Sequence, residues 1–453
     1  MSEQKPPAAG TPKKGVLFTI FLTVFIDLIG FSIIFPLFPA MLEYYRAKEE
    51  TGGLFHALIG FLSSFSGTEE PIYLIVLFGG VLGSLYSTLQ FLCAPLWGSL
   101  SDRIGRRPVL LVTITGIAVS YLLWFVSGSF ALLVGARLLG GIASGNIAVA
   151  TAAVADATTP QNRAKGMAIV GIAFGLGFTL GPAIGGALSL VDLTTLAPGL
   201  EPWGVNPFSA AAGGALLLSI VNLFWVARRF PETLTSEKRG TSRKYRTANL
   251  TKLFGRQEFA GVHRANIVYF IFFLAFSGME FTLVFLAFER FAYEPVDNAW
   301  MFVFVGLLMA LVQGGVVRRV VTRVGEKNLV LAGLALLLPG FVVTGLASTP
   351  GMLYGGLAFL AAGGAMATPC LSALVSLYTP ANRQGEVLGV FRSLGALARA
   401  IGPVLACVLY WQFGSESPYL AGAVVLLIPL GVAFGLPQPR EGSAVSSSPD
   451  SAA

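Results

Sequence analysis

Charged residues are scarce in this sequence. Only 12% of the 453 residues are Asp, Glu, Lys or Arg, whereas 55% are hydrophobic and the mean hydropathy is +0.74. A water-soluble domain needs more charge than this to cover its surface, so the composition excludes an ordinary soluble protein. It indicates a protein that crosses a membrane several times.

Cysteine and histidine are rarer still. The three cysteines, Cys93, Cys370 and Cys407, all fall in apolar stretches, which gives no support to a disulfide framework. The two histidines, His56 and His263, lie in predicted loops without neighbouring ligands, so we expect no metal site. We therefore predict no cofactor.

Two further motifs are missing. The sequence contains no Gly-x-x-x-x-Gly-Lys-Ser/Thr motif, so direct use of ATP is not expected. No Ser, Cys or His stands beside a plausible catalytic base. These absences argue against an enzyme.

Long apolar runs make up most of the chain. Twelve of them are long enough to cross about 30 Å of hydrocarbon as a helix, and they are continuous rather than alternating, which favours helices over a β-barrel. The first run is longer than a signal-peptide core and contains an Asp, so we expect it to be retained. The predicted spans are residues 16–42, 72–98, 108–127, 130–155, 164–190, 207–229, 266–290, 298–317, 328–347, 351–378, 386–411 and 418–436.

Basic residues lie mainly on one side of these spans. Of the 30 Lys and Arg, 24 fall in the termini and even-numbered loops, three on the other side (Arg46, Lys48 and Arg290) and three within spans. This positive-inside pattern predicts that both termini are cytoplasmic. The net charge of +7 therefore reflects topology, and no binding of nucleic acid is expected. The pattern fits the plasma membrane and an internal membrane equally.

The chain divides into two groups of six spans. We predict a cytoplasmic tail (1–15), a first six-helix bundle (16–230), a basic cytoplasmic linker (231–265), a second bundle (266–437) and a disordered tail (438–453). Three pieces of the first bundle recur in the second: Arg103-Ile-Gly105 as Arg323-Val-Gly325, Thr159-Pro-Gln-Asn-Arg163 as Thr379-Pro-Ala-Asn-Arg383, and Gly181-Pro182 as Gly402-Pro403. The offsets are 220, 220 and 221 residues.

This repeat predicts an all-α membrane protein of twelve transmembrane helices in two pseudo-symmetric six-helix bundles, related by an axis along the membrane normal. Two such bundles around a central cavity are typical of a transporter.

Several motifs resemble signatures of one transporter family. Gly98-x-Leu100-x-Asp102-Arg103-x-Gly105-Arg106-Arg107-Pro108 resembles the helix 2–3 signature of the major facilitator superfamily at every marked position. Three others resemble motifs of its drug:proton antiporter branch, which includes bacterial tetracycline exporters: Asp27-x-x-Gly30 with Pro36-x-x-Pro39, Leu133-x-x-x-Arg137-x-x-Gly140-Gly141, and Gly177-x-x-x-Gly181-Pro182-x-x-Gly185-Gly186. Gly140 stands where a Gln is common.

The chain is also similar to tetracycline-transporter-like proteins of animals. The similarity lies in Ser277-Gly-x-Glu280 and in Arg392-Ser-Leu-Gly-Ala-Leu-Ala-Arg399-Ala. It implies the transport of organic anions.

The resemblance implies that the loop between spans 2 and 3 is a gating latch. In the family, the residue at Asp102 contacts the start of helix 11 and favours the outward-facing state. The predicted latch residues are Gly98, Asp102, Arg103, Gly105, Arg106 and Arg107. The alternative is that the arginines only enforce topology. Because Thr322 and Glu326 replace Asp102 and Arg106 in the second half, we expect substitutions at Asp102 to disturb switching more than those at Thr322.

Five charged residues lie inside predicted spans, where each costs roughly 2.5–3.5 kcal/mol and is functional by default. Asp27 and Glu280 are candidates for proton coupling, because a carboxylate in low dielectric takes up a proton when its cationic partner leaves. Arg137 is the expected partner of Asp27. A fixed ion pair that joins helices 1 and 4 is the alternative.

Arg392 and Arg399 share one helical face, seven residues apart. Two guanidiniums facing a polar cavity would bind the carboxylate or sulfonate of a substrate, with Arg399 the deeper ligand. The alternatives are pairing with Glu280 and snorkelling of Arg392 to the membrane edge. Asn146 and Gln313 are further candidate contacts for substrate.

A helix-packing role is expected for four residues of span 5. Glycine recurs there at every fourth position, which permits close approach of a neighbouring helix, and a proline bends the span. The residues are Gly177, Gly181, Pro182 and Gly185.

The sequence thus predicts a secondary active transporter that works by alternating access. Proton-coupled antiport of drug-like amphipathic compounds or organic anions is the first hypothesis. The alternatives are a proton-independent facilitative transporter of a small metabolite and a transporter-like scaffold or receptor. The expected partners are a small-molecule substrate, protons and the lipid bilayer, and no oligomer is required.

Overall fold

The protein is almost entirely helical. The structure is a computed structural model that describes residues 14–48, 53–63, 71–158, 163–234, 259–380 and 384–438. These residues contain no strand, and twelve of their helical segments are long and apolar enough to cross a membrane. They are numbered spans 1 to 12: Gly15–Lys48, Ile75–Ile104, Arg106–Phe125, Phe130–Ala157, Ile169–Leu196, Ser209–Arg229, Gly261–Phe291, Pro295–Val324, Glu326–Gly345, Pro350–Leu377, Val387–Phe413 and Ser417–Phe434. The predicted fold class is confirmed.

The first half of the chain carries spans 1–6. Its α-helices are Lys14–Ser32, Phe38–Lys48, Leu54–Ser63, Pro71–Ile104, Arg106–Phe125, Phe130–Ala143, Asn146–Ala157, Arg163–Ser189, Leu193–Leu196 and Ser209–Arg229. Short 3-10 helices occupy Phe35–Leu37 and Pro198–Trp203. Span 1 changes helix type at Pro36, which cannot donate a backbone hydrogen bond.

The second half carries spans 7–12. Its α-helices are Ala260–Phe291, Pro295–Leu311, Arg318–Val324, Glu326–Gly345, Pro350–Leu377, Gln384–Phe413 and Ser417–Phe434. Span 8 contains a π-helical turn, Val312–Val317. Such turns often mark functional sites in helices.

Twelve crossings bring the chain back to its starting side. We call the side on which span 1 begins and span 12 ends the terminal face, and the opposite side the distal face. Residues 1–13, 235–258 and 439–453 lie outside the described residues. The boundaries of the predicted tails and linker therefore stay predictions, and so does the cytoplasmic location of the termini.

Two predicted loops are partly helical. The helix of span 2 continues to Ile104 and the next helix begins at Arg106. The predicted loop from Gly98 to Pro108 is therefore helical except at Gly105. Gly105 has φ 111°, a conformation open to glycine, which lets one residue join two helices. The predicted loop after span 1 likewise holds the helix Leu54–Ser63, because its apolar residues are too few to stand out as a span.

The two halves repeat one packing contact. In the first, the Ser32 hydroxyl donates to the Gly177 carbonyl (3.2 Å); in the second, the Ser277 hydroxyl donates to the Ala398 carbonyl (3.1 Å). Each serine also lies against a glycine of the sequence repeat, Gly181 or Gly402. The duplication inferred from sequence therefore extends to the contact between spans 1 and 5 and between spans 7 and 11.

The halves meet between the distal face and the middle of the spans. The Phe38 ring packs on Phe281 with centroids 5.3 Å apart, and the Asn298 side chain donates to the Pro36 carbonyl (3.4 Å). A Cβ at Gly80 would lie 2.7 Å from the Cβ of Cys407. Further close contacts join the halves at Gly186 with Ala299 and at Gly306 with Thr179.

Towards the terminal face, several glycines of these spans have empty space beside them. A Cβ atom placed at their glycines meets no described atom within 4 Å. These glycines are Gly98, Gly171, Gly175, Gly314, Gly315 and Gly389. Among the described residues, the close contacts between the halves thus lie from the distal face to the middle of the spans.

Candidate functional site

A small cavity lies at the junction of the two halves. Its volume is about 10 Å³, close to the space of one water molecule. Its lining includes Asp27, Tyr86, Gln90, Ile147, Phe178 and Arg399. The cavity therefore brings together two charged residues singled out in the sequence, Asp27 of span 1 and Arg399 of span 11.

Span 4 is broken beside Asp27. One helix ends at Ala143 and the next begins at Asn146, with Gly145 between them. Gly145 cannot carry a side chain here, because the Trp97 ring fills that space, and the Trp97 indole donates to the Ile142 carbonyl (2.6 Å). The break directs a helix N-terminus towards the cavity, where its partial positive charge favours a carboxylate.

The Asn146 side chain lies beside the Asp27 carboxylate. Both residues are buried, with exposed fractions of 1% and 7%. Asn146 Oδ1 accepts from the backbone N–H of Ile147 (2.9 Å), which leaves Nδ2 as the group that Asn146 presents to the Asp27 carboxylate. This donor suits Asn146 to orienting the Asp27 carboxylate or a ligand beside it.

Arg137, the predicted partner of Asp27, packs on an aromatic ring. No salt bridge joins the two residues, both of which the structure describes. The Arg137 guanidinium carbon instead lies 4.6 Å from the centroid of Tyr86 and 6.0 Å from that of Phe31. Tyr86 is within electrostatic reach of both Asp27 and Arg137. Tyr86 is thus a neighbour of both charges.

Sequence reasoning missed Tyr86. Its only signal is a phenol among the polar residues Ser84, Ser87, Thr88 and Gln90 of span 2, and most aromatic residues in spans face lipid or pack against other helices.

The charges of the second half gather around Tyr269. This residue is within electrostatic reach of both Arg392 and Arg399. The Arg399 guanidinium lies over the Phe273 ring (5.3 Å) and interacts with Glu280. Arg392, Arg399 and Glu280 are half-buried. The predicted pair of arginines therefore shares one environment, and Glu280 lies near the deeper of the two.

Gln313 lies elsewhere. It occupies the π-helical turn of span 8, is exposed, and does not line the small cavity. Its predicted role in substrate contact stays a prediction for a more open cavity.

The glycines of span 5 pack on span 1. A Cβ at Gly177 would lie 2.6 Å from the Cβ of Leu28, and one at Gly181 or Gly185 would collide with Ser32 or with the Ile33 backbone. Pro182 lies within the same helix. These glycines thus allow spans 1 and 5 to approach each other closely.

Arg106 is the centre of the predicted latch. Its buried guanidinium contacts Asp102 (2.6 Å), Asp156 (2.9 Å) and the Ser101 hydroxyl (2.6 Å). Its backbone N–H donates to the Glu232 carboxylate (2.9 Å). These contacts join the terminal-face ends of spans 2, 3, 4 and 6.

The other latch residues differ in their surroundings. The Arg107 side chain donates to the Ala227 carbonyl (2.6 Å), and Arg103 is exposed. Residues 381–383 and the side chains of residues 384–386, at the start of helix 11, lie outside what the structure describes. The contact between Asp102 and that helix stays a prediction.

Known proteins are similar to this chain over most of its length. The sequence profile of the Major Facilitator Superfamily matches residues 20–323 and 315–451. The chain belongs to the major facilitator superfamily. It is 37% identical to major facilitator superfamily domain-containing protein 10 of Homo sapiens over 450 residues, 95% of each chain. It is 30% identical to the class B tetracycline resistance protein of Escherichia coli, over 85% of this chain and 86% of that one.

A solved structure agrees with this membership. The crystal structure of the human organic anion transporter MFSD10 (TETRAN) is 36% identical, with a TM-score of 0.74, and the match covers 94% of this chain and 100% of that one. The predicted family is confirmed, and the protein is a multi-pass secondary transporter of the major facilitator superfamily rather than an enzyme.

Proposed function

We propose that the protein is a proton-coupled antiporter of drug-like amphipathic compounds, and that organic anions bind through Arg399. One observation carries the proposal: Asp27 of the first half and Arg399 of the second line the same cavity. A substrate that separates them contacts an acid and a base from opposite halves. Its binding therefore affects both the protonation of Asp27 and the fit between the halves.

Arg399 has the chemistry of an anion ligand. A guanidinium keeps its positive charge and offers paired N–H groups to a carboxylate or sulfonate. The neighbouring Phe273 and Tyr269 rings suit the aromatic part of an amphipathic compound. The relative of known structure is described as an organic anion transporter, which supports the same substrate class.

Asp27 has the surroundings of a proton carrier. It is buried, lies beside the helix N-terminus of Asn146, and has no salt bridge to Arg137. A carboxylate placed in this way accepts a proton without first having to break a close ion pair. Glu280, near Arg399, is the second candidate.

Whether protons move against the substrate or with it depends on the charge that the substrate brings to Asp27. A substrate with its anionic group on Arg399 and an N–H or cationic group on Asp27 competes with the proton, which gives antiport. A simple anion on Arg399 would favour a proton on Asp27 and move with it. The proposed substrates are therefore amphipathic anions that also carry a donor group.

Counterflow in proteoliposomes tests this function. Zwitterionic, anionic and cationic aromatic compounds are compared with and without a pH gradient, and proton movement is followed with a trapped pH dye. We expect zwitterionic and donor-bearing anionic substrates to drive protons in the opposite direction. Uptake that is unchanged when the pH gradient is collapsed would favour the facilitative transporter instead.

A pair of variants tests the ligand. Arg399→Ala should lose the uptake of anions, whereas Arg319→Ala, which removes an exposed arginine of span 8, should retain it. A preference for cations, or full anion uptake by Arg399→Ala, would contradict the role of Arg399.

A further inference from the structure

A second, larger pocket opens at the distal face. We call it the distal vestibule; its volume is about 380 Å³ and it lies between the two halves. Glu43 and Tyr44 of span 1 form one wall, and Phe288, Tyr293, Glu294 and Asn298 form the other. The small cavity with Asp27 and Arg399 has a separate lining.

One wall of the vestibule holds a buried acceptor without a partner. Asn298 is 1% exposed, and its Nδ2 donates to the Pro36 carbonyl of the other half (3.4 Å). Its Oδ1 makes no hydrogen bond to any described residue. A buried amide oxygen without a donor costs stability, so this position favours a ligand that brings an N–H group.

The rest of the lining favours a positive charge. Glu43 and Glu294 are carboxylates at the pocket, and the Glu43 side chain is 45% exposed although it also contacts Arg46 (3.3 Å). The Tyr44, Tyr293 and Phe288 rings offer faces on which a cation binds.

We propose that the distal vestibule binds a primary or secondary organic ammonium ion. Its N–H group donates to Asn298 Oδ1, its charge is balanced by Glu43 and Glu294, and its apolar part lies among Tyr44, Tyr293 and Phe288. A quaternary ammonium satisfies the charge but not the amide oxygen. The amide therefore selects for an N–H donor.

The vestibule also spans the seam between the halves. Because its two walls belong to different halves, a bound ammonium ion holds the distal face closed. This consequence rests on the proposed alternating access, whereas the binding does not. Ammonium ions added on the distal side should inhibit transport without being carried.

Three matched probes test the binding to purified protein: 2-phenylethylammonium, its N,N,N-trimethyl analogue and phenylacetate. Calorimetry should give the tightest binding for the first probe, weaker binding for the second and none for the third. Asn298→Ala should weaken the first by about tenfold and remove its advantage over the second, since a hydrogen bond to a charged group is lost. Glu43→Gln should weaken both ammonium probes by about threefold, as expected for a half-exposed charge.

Two controls show where the ammonium probes bind. Glu201→Gln removes an exposed acid on the same face and should change nothing. Binding should also persist in Asp27→Asn, which separates the vestibule from the transport cavity. Equal affinity for phenylacetate, or an unchanged preference in Asn298→Ala, would overturn the proposal. Should Asn298→Ala fold poorly, Glu43→Gln decides, because full affinity in that variant is equally incompatible with the site.

Discussion

At the residue scale, aromatic rings pack against two arginines in or near the small cavity. Arg137 lies on Tyr86 and Arg399 on Phe273. A cation–π contact stabilises a buried guanidinium without consuming a carboxylate. Asp27 accordingly forms no salt bridge with Arg137, and we expect its carboxylate to be available for a proton.

The Asp27→Asn variant separates proton coupling from substrate binding. The amide has nearly the shape of the carboxylate but takes up no proton, so we expect uphill transport driven by a pH gradient to be lost while substrate exchange is retained. Proteoliposomes with trapped substrate measure both activities. Glu201→Gln is the control, and normal uphill transport by Asp27→Asn would exclude this residue as the proton carrier.

Arg106 and Arg103 provide a matched pair for stability. Arg106→Ala leaves Asp102 and Asp156 without their shared cation, and we expect a loss of about 2–3 kcal/mol because the pair is mostly buried. Arg103 is exposed, so Arg103→Ala should change stability by less than about 0.5 kcal/mol. Thermal unfolding in detergent compares them. Equal Tm values would mean that the Arg106 contacts contribute no stability.

At the element scale, span 5 is close-packed in one stretch and open in another. Gly177, Gly181 and Gly185 lie against span 1, whereas Gly171 and Gly175 face open space nearer the terminal face. One helix thus combines a fixed contact within its own half with a surface that is free in this state. Alternating access requires such a division.

Two alanine substitutions test this division. Gly185→Ala should lower stability by about 1–3 kcal/mol, because the methyl group would collide with the Ile33 backbone. Gly175→Ala should be neutral or stabilising by up to about 1 kcal/mol, since its Cβ meets nothing and alanine favours a helix. Thermal unfolding compares the two. Tolerance of both would contradict the tight contact between spans 1 and 5.

Sequence patterns predicted the spans far better than the interruptions within them. Hydropathy locates an apolar helix because transfer into lipid is summed over about 20 residues. The break before Asn146 depends on one side chain, Trp97, which packs from span 2. The π-helical turn at Val312–Val317 likewise depends on packing that no local pattern specifies. Residues 98–104 were predicted as part of a loop but are helical, because polar residues at the end of a span resemble a loop.

At the scale of the whole molecule, the described contacts between the halves lie from the distal face to the middle of the spans. If the proposed alternating access is right, this is one of the two states of the cycle. The sequence repeat predicted two such halves but not which side would be closed, because a repeat specifies the two halves and not the contacts between them. That choice appears only in contacts between residues hundreds of positions apart.

We call the contact between the halves near the distal face, which includes Phe38 with Phe281 and Gly80 with Cys407, the distal seam. A disulfide across the distal seam should lock this state. In Gly80→Cys, the new Cβ would lie 2.7 Å from the Cβ of native Cys407. A disulfide needs roughly 3.5–4.5 Å between these atoms, so spans 2 and 11 must separate by about 1 Å before the two thiols can join. Oxidation should stop transport, and reduction should restore it. The same substitution in a Cys407→Ser background is the control. Transport that survives complete crosslinking would show that the distal seam does not open.

The distal seam also determines how the equilibrium between states responds to its surroundings. Its described contacts are one ring pair, glycines against side chains and one amide-to-carbonyl bond. Opening it therefore exposes apolar surface to water and separates no ion pair among these contacts. The opening of this contact should carry a positive heat capacity change, so its enthalpy rises with temperature.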